Sequence, residues 1–202
     1  AITGIVAYGA GSSPALIQAL YISKGPMLIA ALVEFGIVWY LSSRIYKLSL
    51  ASATLWFILF SAINGLTLGW IFAVYKIAII AKTFFVTAGT FGAMALIGST
   101  TKKDLTKFGG ILFMALIGLI IASLVNLFLH SSTMDYIVSI VGVLIFTGLT
   151  AWDAQAIKRN LLMAPDAGES AQKIALLGSL SLYLDFINLF LYLLRFFGNN
   201  KN

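Results

Sequence analysis

From Leu48 to Tyr75 the chain contains no Asp, Glu, Lys or Arg. A helix needs about 20 mostly apolar residues to cross the hydrocarbon core of a bilayer, and this stretch is longer than that. Thr83–Thr101 and Phe108–Leu129 are equally free of charge. Three further runs carry one acid each: Glu34 in Pro26–Ser43, Asp153 in Tyr136–Ile157 and Asp185 in Ile174–Leu194. Every backbone polar group in lipid must be bonded within its own segment, which selects helices for runs of this kind.

Composition agrees. The 202 residues are 60% apolar and 10% charged, against about 45–50% and about 25% in soluble domains. A soluble globule could neither bury that apolar surface nor cover itself with so few charges. Soluble enzymes, disordered chains and disulfide scaffolds are excluded. There is no cysteine and a single histidine, His130, so thiolate metal sites and His-based triads have nothing to build on. We expect neither an enzyme nor a bound cofactor. The net charge of +6 reads as basic loops beside a membrane, with no nucleic-acid partner.

The fold expected is an all-α polytopic membrane protein, residues 1–202 forming one integral membrane domain. Its seven spans lie near 1–10 (partial), 26–43, 48–75, 83–101, 108–129, 136–157 and 174–194. Ala1–Ala10 has about half the needed length and is taken as the end of a helix starting upstream. Gly11–Lys24 then reads as a loop, with Ser12, Ser13 and Pro14 as breakers. The loop Lys158–Lys173 holds Pro165, Asp166, Gly168 and Glu169. No phosphate-binding loop occurs in it, which argues against transport driven by ATP within this chain.

Loop charge orients the spans. Arg44, Lys47, Lys102, Lys103, Lys107, Lys158, Arg159 and Lys173 fall on one side, outnumbering Lys24, Lys76, Lys82, Arg195 and Lys201 on the other. The first side is taken as cytoplasmic, with the N-terminus inside and the C-terminus outside. A re-entrant last segment would return Arg195 and Lys201 to the cytoplasmic side. Gly65 and Gly69 form a GxxxG, and Ala88, Gly89, Gly92, Ala93 and Ala95 crowd another span. Small residues let helices approach closely, either within one bundle or between two copies. The first reading is preferred, and with it a monomer. Trp39, Trp56, Trp70 and Trp152 suit interfacial anchoring or packing.

A carboxylate inside a span is costly and by default marks a pathway. Around Asp185, steps of three and four place Gly178, Ser181, Asp185, Asn188, Tyr192 and Arg195 on one helical face. Tyr183, Ile187, Phe190 and Leu194 lie opposite. That polar stripe must meet water or polar partners; an ion or proton route competes with a network that locks helices together. Asp153 shares a face with Thr150, and from its position it is either part of the route or an acid reaching interfacial water. Glu34, central in its span, is equally a pathway acid or a structural one. Lys82 and Arg195, near span ends, can snorkel. Asn64 and Asn126 suit joints between helices.

Three segments resemble the transmembrane Bax inhibitor motif family, in particular its bacterial members. Ser179–Gly198, with Leu-Asp-Phe around Asp185, is similar to that family's C-terminal helix. Thr147–Lys158, with Trp152-Asp153, is similar to its sixth helix, and Thr100–Leu105 to the loop between helices four and five. The resemblance extends from about residue 25 to 198. It implies six helices around a central seventh, location in the bacterial inner membrane, and a pH-sensitive calcium leak. It further implies that Asp153 and Asp185 pair as sensor and gate and touch the passing ion. Glu34, Ser181, Asn188 and Tyr192 would support the path, with Arg44 and Arg195 as candidates for a latch.

Calcium prefers oxygen ligands, and two adjacent carboxylates titrate as a unit. A proton held between the aspartates would tie two helices and close the exit; its loss would let them part. Low pH should therefore close the path, with calcium as permeant ion and the proton as regulator. Two other readings remain: a proton-coupled cation transporter with Asp185 as carrier, and an interaction protein that binds a membrane-anchored protease or other membrane proteins. A retinal protein would need a lysine in Ile174–Leu194, which has none. An intramembrane aspartyl protease would need Gly-x-Gly-Asp, absent at both aspartates.

Overall fold

The computed structural model describes residues 1–22, 24–165 and 168–199. Asp166 and Lys201, assigned above to loop and terminus, lie outside them. Among the described residues all regular structure is helical: α1 (Ile2–Gly11), α2 (Pro14–Ile17), α3 (Lys24–Arg44), α4 (Leu50–Leu68), α5 (Trp70–Val74), α6 (Ile77–Thr100), α7 (Thr106–Leu129), α8 (Ser132–Leu162) and α9 (Glu169–Asn199). A π-helical turn, Gln18–Ile22, prolongs α2, and a 3-10 turn, Ile45–Lys47, follows α3. Among the described residues six helices are long and apolar enough to cross a membrane, and seven spans result if the bent pair Ile2–Gly11 and Pro14–Ile22 counts as one. The chain is an all-α, multi-pass integral membrane protein. Phe35, Phe85 and Phe128 are at least 73% exposed, which suits contact with lipid tails.

The expected loop Gly11–Lys24 is mostly helical instead. Ser12, Ser13 and Pro14 do end α1, yet they also start the next helix. The Ser13 hydroxyl accepts from Leu16 N at 3.4 Å, and Pro14 takes the first helical position, where its missing N–H costs nothing. The two pieces meet at 90°.

The spans also outrun the apolar runs from which they were read. α8 and α9 have 31 residues each, roughly 46 Å at about 1.5 Å per residue, against a hydrocarbon core of about 30 Å. Charge closes an apolar run without stopping a helix. Asp135, Lys158, Arg159 and Glu169 all sit on helical backbone beyond the apolar stretch.

The chain forms two compact units, Ala1–Ile80 with Pro165–Leu177, and Ala81–Ala164 with Gly178–Asn202. In the first, the GxxxG packs α4 on α1. A Cβ at Gly65 would sit 2.7 Å from Thr3 O, and one at Gly69 would sit 2.9 Å from Ala10 Cβ. The Thr3 hydroxyl donates to Ser61 O at 3.0 Å across the same contact. In the second unit, Leu112 and Leu119 of α7, Val138, Ile145 and Leu149 of α8, and Leu189 of α9 form a buried core. His130 ends α7 in the left-handed region with φ 49°, a conformation His tolerates better than most side chains. Asn126 fastens this turn: its Oδ1 accepts from Ser131 N at 3.1 Å and its Nδ2 donates to Asp135 Oδ1 at 2.8 Å.

The second small-residue stripe behaves differently. Its glycines, Gly89 and Gly92, have nothing within 4 Å of where a Cβ would stand, whereas Gly98, beyond the stripe, packs onto the Ala151 backbone. Trp152, read as an anchor or a packing residue, lays its indole against Gly109 of α7.

Candidate functional site

In the second unit the polar face of α9 is applied to α8, and the two helices run antiparallel. Gly178 lies against Ile157, where an added Cβ would come within 2.6 Å of Ile157 Cγ1. Ser181 hydrogen bonds to Asp153, and the carboxyl groups of Asp153 and Asp185 are in hydrogen-bonding contact. Tyr192 stacks on Phe146 with centroids 5.7 Å apart and covers Gly142, where a Cβ would meet its ring at 2.6 Å. Arg195 Nη1 stands 3.7 Å from Asp135 Oδ1. Five members of the stripe thus meet side chains or backbone of α8. Asn188 instead donates to Leu184 O of its own helix at 2.8 Å.

The aspartate contact is the unusual element. Asp185 is 5% exposed, and its Oδ2 is buried with no hydrogen-bond donor among the described residues. Ionised carboxylates only accept, so two of them cannot hydrogen bond; the contact needs one proton between them. On either side of the pair, Gly178 and Gly142 leave room in the seam for the Ile157 side chain and the Tyr192 ring.

Below Asp153 on α8, Gln155 holds the α6–α7 loop. Its Oε1 accepts from Leu105 N at 2.8 Å and its Nε2 donates to Lys103 O at 2.7 Å. Arg159 donates to the Thr106 hydroxyl at 2.9 Å and lies 3.7 Å from Asp104. Asp104 is exposed and outside the spans. The Thr106 hydroxyl and amide hold its carboxyl below the usual range, and Arg159 and Lys107 add to this. Sequence reasoning missed Gln155 and Asp135. Asp135 was legible as the acid six residues after the apolar run ends at Leu129, on the first turn of a helix. Gln155 carried no comparable signal, because its partners are backbone atoms of a loop about 50 residues away.

Glu34 belongs to the first unit. Its Oε1 accepts from the Thr67 hydroxyl at 2.7 Å and its Oε2 from Asn64 Nδ2 at 3.2 Å. Both donors lie on one face of α4, three residues apart, so the acid joins α3 to α4. Arg44 is exposed at the end of α3, and among the described residues its side chain makes no ion pair. A buried cation of this unit is Lys173, paired with Glu169 at 2.8 Å, with Tyr46 O 3.5 Å away.

Comparison with known proteins agrees with the resemblance noted in the sequence. The family described as "Inhibitor of apoptosis-promoting Bax1" matches residues 1–202. The chain is 48% identical to "Inner membrane protein YbhL" of Escherichia coli (strain K12), over 99% of this chain and 86% of that protein. It is 45% identical to a protein of Borreliella burgdorferi, over 100% and 87%. A protein of Deinococcus radiodurans is 39% identical, over 100% and 85%. With a family match along its whole length and relatives this similar, the chain belongs to the Bax inhibitor family.

Proposed function

We propose that this protein is a pH-sensitive calcium leak channel whose gate is the Asp153–Asp185 pair. The observation that carries the reading is the buried carboxyl contact, with Asp185 Oδ2 left without a donor. With its shared proton the pair fastens α8 to α9, and the seam through Ser181 and Tyr192 is closed. Without it, two carboxylates face each other in a medium of low dielectric, where repulsion is strong, and the helices part at this point. Calcium then passes down its gradient. Two carboxylates and the Ser181 hydroxyl supply few of the 6–8 oxygens calcium prefers, so a passing ion keeps most of its water and does not lodge. The proton is the regulator, low pH the closed condition, and no covalent chemistry is involved.

In this reading Glu34 joins helices and Arg195 latches the far end of the seam. Arg44 has no assigned part. The printed name of the Escherichia coli relative supports an inner-membrane location. The loops bearing Lys102, Lys103, Lys158 and Arg159 face the cytoplasm under the positive-inside rule. The deciding measurement is calcium entry into liposomes carrying the purified protein, followed across pH. Entry should fall as the medium is acidified, and Asp153→Asn and Asp185→Asn should each remove that dependence. Wild-type protein giving no flux above empty liposomes, or both variants retaining the wild-type profile, would sink the proposal.

A further inference from the structure

On the lipid-facing side of the second unit, a groove of about 560 Å³ runs between α6 and α8, within the range of roughly 300–1,000 Å³ typical of ligand pockets. Gly92 and Ala95 form one wall, and Ile157, Leu161 and Leu182 face them. Its apolar part is open because α6 carries no bulk there: a Cβ at Gly92 would touch nothing within 4 Å. The groove ends at Ser99 and Lys158, where α6 gives way to its loop and α8 enters its last turns. A second hollow of about 360 Å³ continues from the same two residues past Gln155 to Arg159. Lys158 Nζ donates to Ser99 O at 2.7 Å, which fixes the ammonium at the mouth and leaves further N–H donors free. Lys102 and Lys103 are exposed on the adjoining loop, and Lys107 is exposed on the first turn of α7. Asp104, the acid among them, is engaged by Thr106 and Arg159.

We propose that this groove binds one anionic phospholipid, an acyl chain lying along Gly92 and Ala95 and the phosphate meeting Lys158. Three features select this occupant. The groove opens along membrane-spanning helices, where the surrounding medium is acyl chain. Its basic end coincides with the helix ends, at the depth of head groups, and basic pockets between membrane helices attract anionic head groups. A second copy of the chain would bring the same cluster of lysines against itself and be repelled.

The test uses the full chain in detergent micelles. Retained lipid is read by native mass spectrometry after adding phosphatidylglycerol or phosphatidylcholine with the same acyl chains. Wild-type protein should retain phosphatidylglycerol preferentially, in a one-to-one complex. Lys158→Gln should lower that preference by about fivefold, the contribution of one basic side chain near a lipid surface. Gly92→Leu should abolish retention of both lipids; leucine is a better helix former than glycine and meets open space, so the fold survives, as an unchanged thermal transition will verify. Equal retention of the two lipids by wild-type protein overturns the proposal. So does undiminished retention by Gly92→Leu, displacement of the lipid by inorganic phosphate alone, or a dimer that Gly92→Leu converts to monomer.

Discussion

Glu34 and Asp185 are both acids near the middle of a membrane-spanning helix, yet the fold treats them oppositely. Glu34 receives Thr67 Oγ1 and Asn64 Nδ2, one donor on each oxygen. Asp185 receives another acid, and its Oδ2 has no donor. The difference teaches that depth in the membrane does not make a carboxylate a switch; the polarity of its partners does. Neutral donors satisfy the ionised carboxylate without a shared proton, so that joint does not need one to hold. A partner acid satisfies it only while a proton lies between them, so that joint holds or fails with protonation.

The sharpest way to break the comparison is to give Asp185 a neutral donor. Asp153→Asn places an amide where the second acid stood, which should turn the switch into a joint like that of Glu34. A one-proton gate changes its open population by up to about tenfold per pH unit. Liposome calcium entry should show that slope in the wild-type protein and a flat profile in the variant. The converse is to strip Glu34 of its donors. Asn64→Ala or Thr67→Ala leaves a half-buried carboxylate oxygen unsatisfied, at a cost of about 1–3 kcal/mol. The thermal transition in detergent should fall, while the pH slope of calcium entry stays as in the wild type. A changed slope would put Glu34 on the pathway and erase the contrast.

A third acid tests whether exposure matters as expected. The Arg195–Asp135 pair is about half exposed, at 44% and 46%, so Arg195→Gln should cost no more than about 1 kcal/mol, lessened by salt. A loss as large as that of Asn64→Ala would show that the far end of the seam is as dry as its middle. The smallest effect belongs to Asp104, which is fully exposed. Its carboxyl is held below the usual range by Thr106, so its contribution is present above the unfolded-state value and disappears as pH falls through the folded-state value. Asp104→Asn should therefore lower the thermal transition slightly at neutral pH and not at all in acid, with the calcium profile untouched.

Much of this was legible in the chain itself. Uncharged runs as long as Leu48–Tyr75 have few solutions other than membrane helices, since lipid offers backbone groups no partners. The period of the last helix placed Ser181, Asp185 and Tyr192 on one face, and the face proved to be a single seam. GxxxG marked a close helix contact at Gly65 and Gly69. What pattern could not separate was the destination of a polar face. Gly178, Asn188 and Arg195 look alike on a helical wheel, but one fits under Ile157, one bonds its own backbone and one reaches Asp135.

The bend at Ser12–Pro14 shows the same limit on a smaller scale. A breaker says that a helix ends; only the hydroxyl of Ser13 turned toward Leu16 N makes it a beginning. Sequence by itself determined the solvent of this protein, its helical class and the depth of its acids, because each follows from hydropathy and period along one chain. Only the tertiary structure decided which acids received donors and which received each other. That outcome depends on contacts between helices far apart in sequence, and on small residues such as Gly142 and Gly178 that make room for the Tyr192 ring and the Ile157 side chain of the facing helix.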